Sequence, residues 1–213
     1  MTQHATIDPA ILYFGTPVAL ISTVDEDGRA NLAPMSSVFW LGHTAVLGLA
    51  PGSQTVENLQ RHPECVINLP SEDQATAVDR LALTTGRDPV PPIKVAAGYR
   101  FESDKFARSG LTALPSETIV PPRVAECPVN LEGRGQKVVP LTERYPNGVP
   151  RIILFEVEVT RVHVHESIRM TGTEHRVDPD AWRPLIMSFQ RFYGLGAELQ
   201  PSRLATIGEE WYR

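Results

Sequence analysis

Two histidines one residue apart, His163 and His165, are the first arrangement in this chain that could do chemistry. On a strand that spacing puts both imidazoles on one face, where they could hold zinc or copper. A third ligand is missing, because His4, His43, His62 and His175 show no matching pattern. The pair reads instead as the solvent side of an amphipathic strand whose valines face inward. Asp25, Glu26 and Asp27 suggest calcium, but the loop lacks the further ligands and distal glutamate of an EF-hand. Its Asp27-Gly28 pair signals a hairpin turn. Ser36-Ser37 has no G-x-S-x-G elbow and no helix behind it, so a Ser-His-Asp nucleophile has no support. Cys65 and Cys127 sit beside apolar residues in expected strands, where a thiol is a small hydrophobe. No phosphate loop and no G-x-G-x-x-G after a strand appear, and Gly194 to Gly196 reads as a turn. The sequence assigns neither a catalytic side chain nor a metal site.

Two stretches survive this elimination. "PGSQT" feeds a turn straight into a helix, with Ser53 as cap. Free N–H groups and the helix dipole favour an anion there, and Ser53, Gln54 and Thr55 add side-chain donors. "NLAPMSSVFWLG", Asn31 to Gly42, reads as strand until Ala33-Pro34-Met35-Ser36-Ser37 interrupts it with small residues and a proline. Proline cannot donate to a ladder, so Pro34 belongs at a sheet edge or a bulge. The strand Thr44 to Ala50 lies between the two stretches, so a hairpin could bring both to one end of a barrel. One would be a flat shelf and the other a phosphate socket, a pair of needs that FMN matches.

The elements that must position them are mostly strands. Pro17 to Val24, Thr44 to Ala50 and Glu64 to Pro70 read as buried strands, with a helix beginning after Ser53. A short helical lead-in is expected over Asp8 to Phe14, and an amphipathic helix over Thr76 to Thr84 with Val78, Leu81 and Ala82 on one side. Prolines 89, 91, 92, 115, 121 and 122 argue against regular structure in the stretch that follows. Tyr99, Phe101, Phe106 and Leu111 are too apolar for a free linker, so this is a packed excursion and a candidate lid. In the Ile152 to His165 strand, Phe155, Val157 and Val159 share one parity, and Val162 and Val164 take the other. A strand changes faces only with an extra residue, which predicts a β-bulge near Thr160-Arg161. From Asp178 a helix start at Pro179 leads into mixed helix and loop.

Composition bounds the function class. At 213 residues the chain is long enough to bury a core without disulfide or metal. A net charge of −5 weakens a nucleic-acid reading, because phosphate neutralisation wants a basic face. Neither a signal peptide, a spanning apolar run nor a polybasic lipid patch is evident, so the expected location is cytoplasmic and soluble, away from membranes.

The run "TPVALISTVDEDGRANLAPMSSVFWLG", then "PGSQTVENL", then "ECVINLP", resembles the flavin reductase-like family of FMN-binding split barrels, in its flavoredoxin-type branch. The resemblance continues more loosely through "VAECPVNLEGR" and the Ile152 to His165 strand. It implies a mainly β fold with α additions. This would be a Greek-key split β-barrel with peripheral helices and a Pro-rich excursion, forming one domain over residues 1–213. The barrel core would fall at about 15–70 and 124–166, and the excursion at about 84–123. The resemblance also implies flavin-ring contacts from Ala33, Pro34, Met35, Ser36 and Ser37. Leu49 and Ala50 would join them, and Ser53, Gln54 and Thr55 would grip the phosphate. The implied cofactor is FMN, with FAD as the alternative and NAD(P)H as co-substrate. The activity would be hydride transfer to flavin N5, with a flavoredoxin-like electron carrier as the second reading. A homodimer is implied, with a partner monooxygenase or another electron acceptor downstream. Two departures stand out. The "APGSQT" loop lacks the basic residue many relatives carry, and "NGVPRIILFEV" replaces a Gly-Asp-His segment associated with the nicotinamide donor.

Overall fold

In the computed structural model, which describes residues 3–212, the first half of the chain is a run of short antiparallel strands. They are β1 (Phe14–Pro17), β2 (Ala19–Val24), β3 (Ala30–Met35), β4 (Val38–Leu41) and β5 (Thr44–Leu49). Helix α1 (Gln54–Arg61) leads into β6 (Glu64–Leu69). Helix α2 (Ala75–Arg80) follows, and the excursion then carries β7 (Thr84–Thr85), α3 (Pro92–Ala96), β8 (Arg100–Phe101), α4 (Lys105–Ser109) and β9 (Ala113–Leu114) before β10 (Arg123–Val124). Two long strands, β11 (Val129–Pro140) and β12 (Ile153–Val164), complete the main sheet, and β13 (Ile186–Ser188) and β14 (Arg191–Tyr193) form a late hairpin.

The main sheet has seven strands in the order β3-β2-β6-β11-β12-β5-β4, so β3 and β4 are its two edges. Only Ser36 and Ser37 separate those edges along the chain. Six inter-strand gaps of about 4.8 Å would hold the edges of a flat sheet roughly 29 Å apart, whereas three peptide steps reach about 11 Å. The sheet therefore curls until its edges converge at Ser36-Ser37. β3 and β4 do not pair with each other, which leaves the barrel split along that seam. Curling is helped by two bulges between β11 and β12. One leaves Thr160 unpaired, where the change of parity predicts it, and the other leaves Gln136 unpaired.

Each face of β2 buries a different core. Ala19 and Ile21 point into the barrel with Leu47, Ile67, Phe155, Val157 and the Val56 and Leu59 face of α1. Leu20, with Val18 and Leu32, packs against Val78, Leu81, Phe106, Leu111 and Leu185 outside the barrel. The excursion is thus a second layer laid on the sheet. Its far end is pinned by Glu132, a fully buried carboxylate on β11. Glu132 accepts from the Glu117 and Thr118 amides, each at 2.8 Å, from the Thr118 hydroxyl, and pairs with His163 Nε2 at 2.8 Å. Burial works against its charge, but the Thr118 hydroxyl, the two amides and His163 outweigh it and hold the carboxyl down at about 2.

Several expectations are corrected here. Residues 8–13 are not helical, because β1 is drawn into pairing with β13. Helix α2 ends at Arg80; Leu83 is left-handed at φ 54°, and Ala82 is exposed. Asp178 caps a single turn, accepting from Asp180 N at 2.9 Å, and Pro184 soon disfavours further helix. Cys127 lies in a bend between β10 and β11, not in a strand. His163 does not face solvent, since the Thr160 bulge turns it toward Glu132.

Because the folded Glu132 carboxyl titrates below its ordinary 4.5, protons prefer the unfolded chain between 4.5 and about 2. Its stabilisation is present above that window and is lost as pH falls through it. Glu132→Gln places an amide against the Thr118 donors, so it should lower Tm by roughly 5 °C at neutral pH. It should also flatten the acid limb of stability, which thermal melts from pH 7 to 2.5 would measure. An unchanged acid limb would show that the latch is not charged.

Candidate functional site

Where the two sheet edges converge, β3 has a strand on one side only, so part of its backbone faces outward unpaired. Pro34 sits on this edge opposite Leu20, which is how the sheet accommodates a residue that cannot donate. Gly48 on β5 lets the corner close: its amide donates to Ser37 O at 2.8 Å. A Cβ there would lie 3.2 Å from Ser37 Cβ. The result is a shelf of small side chains beside the start of α1. Ser53 caps that helix by accepting from Val56 N at 3.2 Å. Asn58 Nδ2 ties its buried face to Thr23 at 2.9 Å.

Shelf and helix start open on one cavity of about 640 Å³. Ala33, Pro34, Met35, Ser36, Ser37, Leu49, Ala50, Ser53, Gln54 and Thr55 all line it. The structure thus brings together all ten residues singled out in the sequence. It adds residues that no local pattern marked. Thr84, Thr85, Lys94, Tyr99 and Lys105 come from the excursion, and Tyr13, Met187, Gln190 and Phe192 close the shelf end. Tyr13 Oη lies 2.8 Å from Ser37 Oγ. The β13–β14 turn carries two consecutive left-handed residues, Phe189 at φ 44° and Gln190 at φ 65°. This is the geometry of a two-residue hairpin normally built with Asn-Gly. Phe189 N donates to Tyr13 O at 3.0 Å and its ring meets Phe14 edge-on at 4.8 Å, which hold the turn against the N-terminal arm.

The cavity lining carries two ammonium groups and one carboxylate, Asp79. The chain has three lysines, and two of them, Lys94 and Lys105, line this cavity. Lys94 Nζ reaches Thr85 Oγ1 at 3.4 Å and stands 5.5 Å from the Tyr99 ring centre. Lys105 is buried, and among the described residues no carboxylate lies within ion-pair distance of it. Burial, then repulsion from Lys94, pushes the Lys105 ammonium down to about 8 against the pull of Glu102. Burial and then Arg87 lower Lys94 as well. Two cations held at a cost line the same cavity as a helix N-terminus, an arrangement that suits an anion. "APGSQT" itself has no basic residue; the positive charge in its cavity is lysine, carried on the excursion of the same chain. Its scarcity was the available sequence signal: three lysines among twenty basic residues, two of them in the Pro-rich stretch.

The cysteines take no part. Burial and then Glu64 push the Cys65 thiol up to about 12, and burial also raises Cys127, so neither is a thiolate at neutral pH.

Residues 11–196 match the family described as "Flavin reductase like domain". The chain belongs to the flavin reductase-like family. It is 37% identical over 193 residues to YdfE of Bacillus subtilis (strain 168), an uncharacterized protein, covering 91% of this chain and 90% of that one. Its split-barrel fold is similar to the structure of flavoredoxin from Desulfovibrio vulgaris (Miyazaki F), with TM-score 0.76 and 21% identity over 96% of this chain and 100% of that one. Nitrilotriacetate monooxygenase component B from Bacillus cereus is also similar, with TM-score 0.73 and 20% identity over 94% and 100% of the two chains. Among the described residues of this flavin reductase-like chain, no helix is long and apolar enough to cross a membrane.

Lys105→Met keeps the stem and removes the charge. It should weaken FMN binding by roughly ten- to a hundred-fold while leaving riboflavin, which has no phosphate, within twofold. Parallel titrations of the two flavins measure this, and an equal loss for both would take Lys105 out of the anion socket.

Proposed function

We propose that this chain is an FMN-binding oxidoreductase, an NAD(P)H-dependent flavin reductase. The observation that carries the reading is the pairing, in one cavity, of a flat small-residue shelf with an anion socket. The fit is good at both ends. A planar ring system needs a wall without bulky side chains, and Ala33, Pro34, Ser36, Ser37, Gly48 and Ala50 provide it. A phosphate needs N–H donors and uncompensated positive charge, which the start of α1, Lys94 and Lys105 provide.

Bound flavin supplies the redox chemistry, accepting and giving hydride at its ring N5. The protein's share is position and environment. Outward-facing backbone of β3 and the Ser36 and Ser37 hydroxyls offer hydrogen bonds to a ring edge. Tyr13, through its contact with Ser37, fixes the orientation of that hydroxyl. Met187 and Phe192 present apolar surface that excludes water from the shelf end. No acid–base pair is needed for this division of labour. Thr84, Thr85, Gly86, Lys94, Tyr99 and Lys105 of the excursion line the cavity, a position from which it would govern access to the flavin.

Replacement of Gly-Asp-His by "NGVPRIILFEV" favours a second reading, a flavin-binding electron carrier without a nicotinamide step. Stopped-flow mixing of the flavin-loaded protein with NADH or NADPH separates the two. The reductase reading expects bleaching of the visible flavin band within seconds at millimolar donor. A band that persists with both donors, yet bleaches with dithionite, would overturn it in favour of the carrier.

A further inference from the structure

The hairpin of β13 and β14 closes through Phe189 and Gln190 alone, with Ser188 paired to Arg191 across the turn. Both turn residues are left-handed, and neither is a glycine, an asparagine or an aspartate. For long or bulky side chains that backbone is disfavoured, and it persists only where surrounding contacts impose it. The base of the hairpin is fixed to the barrel. Leu185 is buried there, its amide donates to Pro70 O at 3.0 Å, and its carbonyl accepts from Val18 N at 2.9 Å. The tip is fixed through Tyr13, whose carbonyl accepts from Phe189 N at 3.0 Å and whose hydroxyl meets Ser37 Oγ at 2.8 Å. One residue thus spans from the turn to the shelf.

The two turn residues differ in what holds them. Phe189 packs its ring on Phe14 and is not part of the cavity lining. Gln190 lines the cavity, and among the described residues its side chain makes no hydrogen bond. A glycine would close this turn with less strain, so the hairpin itself has no use for a glutamine there. The neighbouring polar groups at the shelf end are neutral, the Tyr13, Ser36 and Ser37 hydroxyls, and Met187 and Phe192 add apolar surface. A primary amide offers two donors and an acceptor. In neutral surroundings it matches a ring edge on which an N–H and a C=O stand side by side.

We propose that Gln190 is a specificity residue of the flavin site: its amide pairs with the adjacent N–H and C=O of the ring's pyrimidine edge, and the left-handed turn is kept to present it. The inference rests on the flavin reading above and extends it to a residue far along the chain from the shelf. A site built to hydrogen-bond a ligand N–H rejects an analogue that lacks it, because its own polar group is then left unpaired. Gln190 therefore sets a preference for flavins whose ring N3 carries its hydrogen.

Gln190→Gly and Gln190→Leu test this in the full chain, each titrated with FMN and with N3-methyl FMN, which lacks that N–H. Gln190→Gly relieves the turn and removes the amide. It should raise the Tm of the flavin-free chain by roughly 2–4 °C and yet weaken FMN binding about tenfold. A residue that only shapes the hairpin does not move the two in opposite directions. Gln190→Leu keeps the bulk and the strain, so it should leave Tm within about 1 °C and lose FMN affinity by a similar factor. Wild type should prefer FMN over N3-methyl FMN by about tenfold, and both variants should bring the two flavins within about threefold of each other. An FMN affinity within twofold of wild type in either variant, or a preference that the variants leave unchanged, overturns the assignment. A fall in Tm for Gln190→Gly overturns the strained turn on which it stands. Failure of wild type to bind either flavin is a different result, and removes the flavin reading itself along with this residue's part in it.

Discussion

Everything in this molecule follows from a two-residue link between the two edges of one sheet. Ser36 and Ser37 join β3 to β4, and seven strands must bend to let so short a connection close. A corner that tight tolerates no bulk, which is why small residues and Gly48 meet there. It also leaves the β3 edge unpaired, since its nearest free neighbour is β4 and the split keeps them apart. The same constraint that closes the barrel therefore makes a flat polar ledge, with the first long helix beginning beside it. Binding surface and fold are here one solution to one steric problem.

Two buried charges in this chain illustrate opposite uses of the same physics. Glu132 is fully satisfied by donors from the excursion and from His163, and its charge is stabilised by them. It is a latch. Lys105 is buried without such partners, beside another lysine, and its charge is disfavoured. Groups perturbed in the second way concentrate at sites that bind charged ligands, which is what supports the proposed anion socket.

Much of this was legible in the sequence because the signals are local. Pro34 announces an edge, Asp27-Gly28 a hairpin and Ser53 a helix start. The parity change around Thr160 announces a bulge. Each is a rule about neighbours in the chain. What stayed hidden depends on distant closure. Nothing near Lys94 or Lys105 reveals that β3, α1 and the excursion enclose one space. His163 reads as solvent-facing until the bulge and Glu132 are both in view. The helices expected at Asp8 and Pro179 fail because pairing with β13 claims the first and Pro184 curtails the second.

The central claim is that the Ser36–Ser37 shelf and the start of α1 hold a single flavin between them. The most direct measurement is the flavin fluorescence of FMN titrated with wild-type chain at neutral pH. The account predicts saturable quenching at one equivalent, accompanied by a rise in Tm. Unquenched fluorescence and an unmoved Tm at saturating FMN would contradict it.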